Sequence, residues 1–126
     1  MIDYASVLEA VRARLAEELE MQVLVGPLPP NGGLCVSMAS GQAKRDMAGN
    51  CYCRMRVNLN AKNDDQLAAV DLLSRAQDVV KDLSGASDAF QISGISILTT
   101  PAVVQDMVGN YLIVSSIEIR VVFWEV

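Results

Sequence analysis

Residues Cys51 to Asn60 alternate without a break between two kinds of side chain. Cys51, Cys53, Met55, Val57 and Leu59 fall on one side; Tyr52, Arg54, Arg56, Asn58 and Asn60 fall on the other. A period of two belongs to a β-strand, whose successive side chains point to opposite faces. The predicted strand therefore has a buried face and a wet face, and the chain must supply a layer to cover the first. The wet face carries a tyrosine, two arginines and two asparagines, a set suited to specific polar contact. Arg54 and Arg56 admit three readings. They can meet a carboxylate on a neighbouring subunit, bind an anion, or face solvent and discourage edge-to-edge aggregation.

Two segments have the spacing of covering helices. Asp3 is a candidate N-cap, and Tyr4, Val7, Leu8, Val11, Leu15 and Leu19 follow at helical intervals, which predicts an amphipathic helix over about 3–20. Charged residues fill the rest of its circumference and read as a solvated face. After the alternating strand, Asn63 with Gln66 three residues on resembles a capping box. Ala69, Leu72, Leu73, Ala76, Val79, Val80 and Leu83 then form an apolar stripe, and Gly85 fits the C-terminal cap. The acids Asp64, Asp71, Asp78 and Asp82 read as a solvated face and not as a metal site.

Four further segments read as strands. Met21 to Val25 is a short apolar run that ends at Gly26-Pro27, before a rigid proline stretch and a Gly32-Gly33 turn. Leu34 to Ala39 follows, with Leu34, Val36 and Met38 on one face. Phe90 to Leu98 is a strand, weakened or bulged at Gly94. Tyr111 to Val126 is the longest, with Tyr111, Ile113, Ile117, Ile119, Val121 and Phe123 on one face. Leu112, Val114, Val122 and Trp124 make its other face apolar at the ends, so that face is either covered by helices or used in assembly. Ala102 to Val108 fits a short strand, a turn of helix or an extended arm. Ser40 to Asn50, which carries Gln42, Lys44, Arg45 and Asp46, is too polar for a core strand and reads as an extended hairpin tip. The order α-β-β-β-α-β-β implies an α+β fold: a two-layer sandwich with a mostly antiparallel sheet of about five strands and two helices on one face.

Composition narrows the function classes. A length of 126 residues suits a single α+β domain over 1–126. The apolar content of 52% is high, yet no run approaches the roughly 20 residues of a membrane helix. We therefore expect no membrane partner, and the N-terminus lacks the pattern of a signal peptide. The excess apolar content goes to a dense core or a subunit interface. A net charge of -5 argues against a general nucleic-acid binder. Cys35, Cys51 and Cys53 are an odd number, and the Cys51–Cys53 spacing suits a disulfide poorly, so reduced core thiols are expected. Histidine is absent, which removes the commonest general base, the commonest metal ligand and every Ser-His or Cys-His pair. No phosphate-binding glycine loop or paired-cysteine metal pattern is present. We expect no catalytic residue, cofactor or metal. A small α+β ligand-binding protein or enzyme, with a pocket between sheet and helices, is the alternative from another class.

The segments Ile2 to Leu19, Gly26-Pro27-Leu28-Pro29-Pro30, Cys51 to Asn60 running into Asp64 to Leu83, and Tyr111 to Trp124 together resemble the tail terminator proteins of long-tailed bacteriophages. Many of these are called minor capsid or tail completion proteins. The resemblance covers nearly the whole chain and is one of pattern. It implies a virion protein assembled in the bacterial host cytoplasm and no catalysis. It implies a homo-oligomeric ring, usually a hexamer, that caps the tail tube and joins it to the head connector. Its partners would be the tail tube protein and the head–tail connector protein. It also implies that the tip between the second and third strands reaches other subunits or the tube. Gln42, Lys44, Arg45, Asp46, Arg54 and Arg56 are accordingly the expected interface residues. A head-completion, connector or tail tube protein is the alternative within the same setting.

Overall fold

The computed structural model describes residues 3–26, 32–45, 49–86, 90–107 and 110–124. The elements run α1 (Tyr4–Leu19), β1 (Val23–Val25), β2 (Gly33–Arg45), β3 (Cys51–Asn63), α2 (Gln66–Lys81), β4 (Gly85–Ala86), β5 (Phe90–Ile97), β6 (Ala102–Met107) and β7 (Asn110–Phe123). The strands form one sheet in the order β1-β2-β3-β7-β5-β4, with β6 also paired to β7. The β1–β2 pair is parallel and the other pairings are antiparallel. The fold is α+β, as the periodicity predicts. The five expected strands are β1, β2, β3, β5 and β7; β4 and β6 add to them.

β3 and β7 form the centre, in register from Cys51↔Phe123 to Asn63↔Tyr111. Partners in an antiparallel pair share a face, so the two alternating patterns reinforce each other. Cys51, Cys53, Met55, Val57, Leu59 and Ala61 are buried, as are Ile113, Ile117, Ile119, Val121 and Phe123. Both helices lie on this face. α1 buries Val7, Val11 and Leu15 on one stripe, and α2 buries Ala69, Leu73, Ala76 and Val80. All belong to one apolar cluster, and each fully buried Val or Leu contributes about 1.5–3 kcal/mol.

The helices run in opposite directions. The Tyr4 ring meets Phe123 edge-on at 5.5 Å, which places the start of α1 over the Cys51/Phe123 end of the sheet. Further along α1, Arg12 donates to the Val23 carbonyl at 3.3 Å. α2 starts just after Asn63, at the opposite end, and runs back towards β4 and β5. The Cys51/Phe123 end, where β2 and β3 join, is called the tip end below; the Asn63/Tyr111 end is the root end.

One polar residue is buried in this face. Ser115 donates to the Thr99 carbonyl at 2.9 Å and accepts from the Gln77 side-chain amide, which also reaches Thr99 O at 3.1 Å. The Ser116 amide donates to Thr99 Oγ1 at 2.8 Å. With its polar atoms satisfied, Ser115 fixes the β5–β6 corner against the middle of β7 and under α2.

Several boundaries differ from expectation. Asp3 caps α1 by accepting from the Ser6 amide at 3.1 Å, as predicted. α2 is capped by Asp65, which accepts from the Leu67 amide at 3.0 Å, and not by Asn63. Asn63 is held in β3 opposite Tyr111, and its side chain instead accepts from the Asp65 amide at 2.9 Å. α2 ends at Lys81, so Gly85 begins β4 and does not cap the helix. Ala102 to Met107 is a strand on β7. Most of the expected hairpin tip is also strand: Ser40 to Arg45 continue β2 in register with Cys51 to Arg56. Their polar side chains hid this, because the strand is held by its pairing and not by burial. The proline turn at 27–31 lies outside the described residues.

Candidate functional site

The sheet face away from the helices has no covering layer among the described residues. Its root half is occupied with itself. Asn60 donates to Ser37 Oγ at 3.2 Å and lies 3.5 Å from Cys35 Sγ. Ser116 donates to Asn58 Oδ1 at 2.7 Å. Cys35 is buried here; all three cysteines are buried free thiols, as expected, with Cys51 and Cys53 inside the apolar cluster.

The tip half is cationic. Arg54 and Arg56 come from β3, and Lys44 and Gln42 join them from β2 across the pairs Lys44↔Tyr52, Gln42↔Arg54 and Ser40↔Arg56. They join because β2 slips register between Met38 and Ser40. Upstream of that bulge Leu34, Val36 and Met38 share the helix-side face; downstream the phase reverses and turns Gln42 and Lys44 onto the open face. Arg45 pairs with Cys51 and so takes the opposite face, apart from the others. Asp46 lies outside the described residues. Of the six expected residues, the structure thus gathers four.

Arg120 is a fifth member, absent from the residues expected at an interface. It stands opposite Arg54 in the β3–β7 register, as Glu118 stands opposite Arg56. Its side chain turns away over Gly94, donating to Ser96 Oγ at 2.7 Å and pairing with Glu118 at 3.4 Å. A Cβ at residue 94 would come within 2.5 Å of the Arg120 guanidinium, so glycine provides the seat for that side chain. Its parity with Leu112, Val114 and Val122 puts Arg120 on the other face of the last strand, but parity does not give its register partner.

Gln42, Lys44, Tyr52, Arg54, Arg120 and Val122 line a groove of about 410 Å³ across β2, β3 and β7. The described residues give Lys44, Arg54 and Arg56 no ion pair. Among the described residues no carboxylate lines the groove; of its nucleophilic residues, Ser93 donates to the Arg120 carbonyl and Cys53 lies against Tyr4 and Cys51. Among the described residues, no cluster of three possible metal-ligating side chains occurs. No helix of the described chain is long and apolar enough to cross a membrane. The arrangement can receive anionic groups.

The helical layer has the opposite charge. α1 carries Glu9, Glu17 and Glu18 and ends at Glu20, against Arg12 and Arg14. α2 carries Asp71 and Asp78, is preceded by Asp64 and Asp65, and ends at Asp82, against Arg75 and Lys81.

Comparison with solved structures finds chains of similar fold. The chain superimposes on a chain of the virion of a native gene transfer agent particle, with a TM-score of 0.54. The match covers 91% of this chain and 90% of that one, at 17% sequence identity. The two share a fold. No family profile matches the sequence, and no curated protein matches it. The likeness takes in the sheet that carries the groove as well as the helices, since nine-tenths of each chain is aligned.

Proposed function

We propose that this chain is a non-catalytic virion protein, a tail terminator whose copies close a ring on the end of the tail tube and join it to the head connector. The observation that carries the reading is a fold shared along nine-tenths of both chains with a virion component. The element order supports it, since helix, strand pair, capped helix and long last strand follow the pattern by which the sequence resembles phage tail terminators. The open sheet face supports it as well. Among the described residues it presents cations without an ion pair and a groove, with no carboxylate in its lining and no cluster of metal-ligating side chains. On this reading the ring is a homo-oligomer, usually a hexamer, its partners are the tail tube and connector proteins, and it is built into the virion in the host cytoplasm.

The test is assembly on tubes. Purified protein is mixed with tail tubes that lack their terminal ring, and the ends are imaged by electron microscopy. Rings at one end of each tube, with tube length held constant, are expected. Binding along the tube wall, or to the head connector alone, would assign another station in the particle. No binding to either, with release of a small-molecule product from a substrate panel, would overturn the reading.

A further inference from the structure

The open sheet face and the helical layer of one chain are complementary surfaces, and they sit at opposite ends. Lys44, Arg54, Arg56 and Arg120 lie on the open face at the tip end. Glu17, Glu18 and Glu20 lie on the helical layer at the root end, because α1 starts over Phe123 and runs away from it. The molecule is therefore polar both across its layers and along its strands.

Both surfaces are electrostatically unfavourable in a lone chain. Among the described residues Lys44, Arg54 and Arg56 hold neighbouring positions on two paired strands without an ion pair, an arrangement that like charges disfavour. The last turn of α1 has no base and is flanked by acids, the reverse of what the negative end of a helix dipole favours. Arg14 pairs with Glu18 at 3.3 Å, while Glu17 and Glu20 have no cation partner among the described residues. An anionic surface would relieve the first, and a cationic surface the second.

We infer that the basic tip half of the open sheet face docks on the acidic C-terminal end of α1 in a second copy of this chain. The inference rests on the ring reading and gives that ring its contact. Each copy offers one surface of each sign, so the contact is heterologous and head-to-tail and can close into a ring. A duplex would also suit a basic face. A second copy is favoured because the chain carries the matching acidic surface itself, in equal number, and with its own unmet need for cations.

The experiment uses two full-length variants. Arg54→Glu with Arg56→Glu makes the sheet face acidic; Glu17→Lys with Glu20→Lys makes the α1 end basic. All four positions are solvent-facing, and circular dichroism checks that each variant folds. Light scattering and native mass spectrometry then follow association at low salt. The wild type associates; each variant alone does so about tenfold or more weakly, as like charges meet; and an equimolar mixture recovers association, because each variant supplies what the other has lost. Failure of the mixture to recover, association of either variant alone at wild-type strength, or a wild type that stays monomeric would overturn the inference. So would duplex DNA retained by the wild type and released by Arg54→Glu with Arg56→Glu. Rings on tubes that form despite both charge reversals would remove this contact and leave the terminator reading standing. Association that follows the charge rules without any tube capping would do the opposite.

Discussion

Arg54 and Arg120 hold facing register positions on β3 and β7, but the Arg120 side chain turns away to Glu118, while Arg54, beside Lys44 and Arg56, has no ion pair among the described residues. A cation beside other cations on paired strands, with no anion to meet, is a small standing cost. Arg54→Gln should therefore leave the thermal midpoint unchanged or raise it slightly, although it removes a charge from the proposed contact. A lowered midpoint would mean that Arg54 supports the fold. Tyr4 and Cys53 give a second residue-scale prediction. Their side chains lie 3.7 Å apart. Burial pushes the Cys53 thiol up to about 11, with Cys51 adding to the rise while the Tyr4 hydrogen bond opposes it. The same hydrogen bond, then burial, raises Tyr4 above its ordinary 10.0. Both groups stay neutral in the folded chain at a pH where the unfolded chain ionises. Their contribution is complete below the unfolded thiol value of 9.0 and is lost as pH rises towards 11. Urea unfolding should show a midpoint falling over that window, and Cys53→Ala should flatten the fall.

At the scale of elements, the caps are the informative test. Asp65, not Asn63, meets the first free amide of α2, so Asp65→Ala should cost about 1 kcal/mol of stability. Asn63→Ala should cost less, because Asn63 bonds only the turn before the helix; equal losses in denaturant titrations would contradict this. At the other end of α1, Glu20 adopts a left-handed conformation, φ 52°. Glu20→Gly should stabilise by up to about 1 kcal/mol. These local details show where sequence reading succeeds. The stripes of both helices and the alternation of β3 and β7 were legible because burial writes them in apolar side chains. The choice between Asn63 and Asp65 was not, since both types cap equally well and strand pairing with Tyr111 decided it. The extension of β2 through Arg45 was likewise hidden, and with it the bulge that brings Gln42 and Lys44 to Arg54 and Arg56. A register slip depends on the partner strand, which no single segment records. The four gathered residues were on the expected list, but the phase of β2 upstream of Met38 would have placed Gln42 and Lys44 on the buried face.

On the whole molecule, a net charge of -5 conceals a separation of sign between the sheet face and the helical layer. A contact between those surfaces draws much of its strength from charges that stay near solvent, and such charges are screened. The Debye length falls from about 30 Å at 0.01 M salt to about 3 Å at 1 M. Sedimentation velocity at a series of ionic strengths should therefore show association weakening steadily as salt rises. An apolar contact behaves in the opposite sense, because excluded salts strengthen apolar burial. Tyr52 and Val122 stand beside the cations in the groove, so the two mechanisms compete at one place. If the steady fall is found, it should be shallower for Arg54→Gln, which contributes one fewer cation to be screened. Association that holds constant or grows with salt, with Tyr52→Ala weakening it and Arg54→Gln leaving it alone, would move the contact from the arginines to the apolar wall of the same groove.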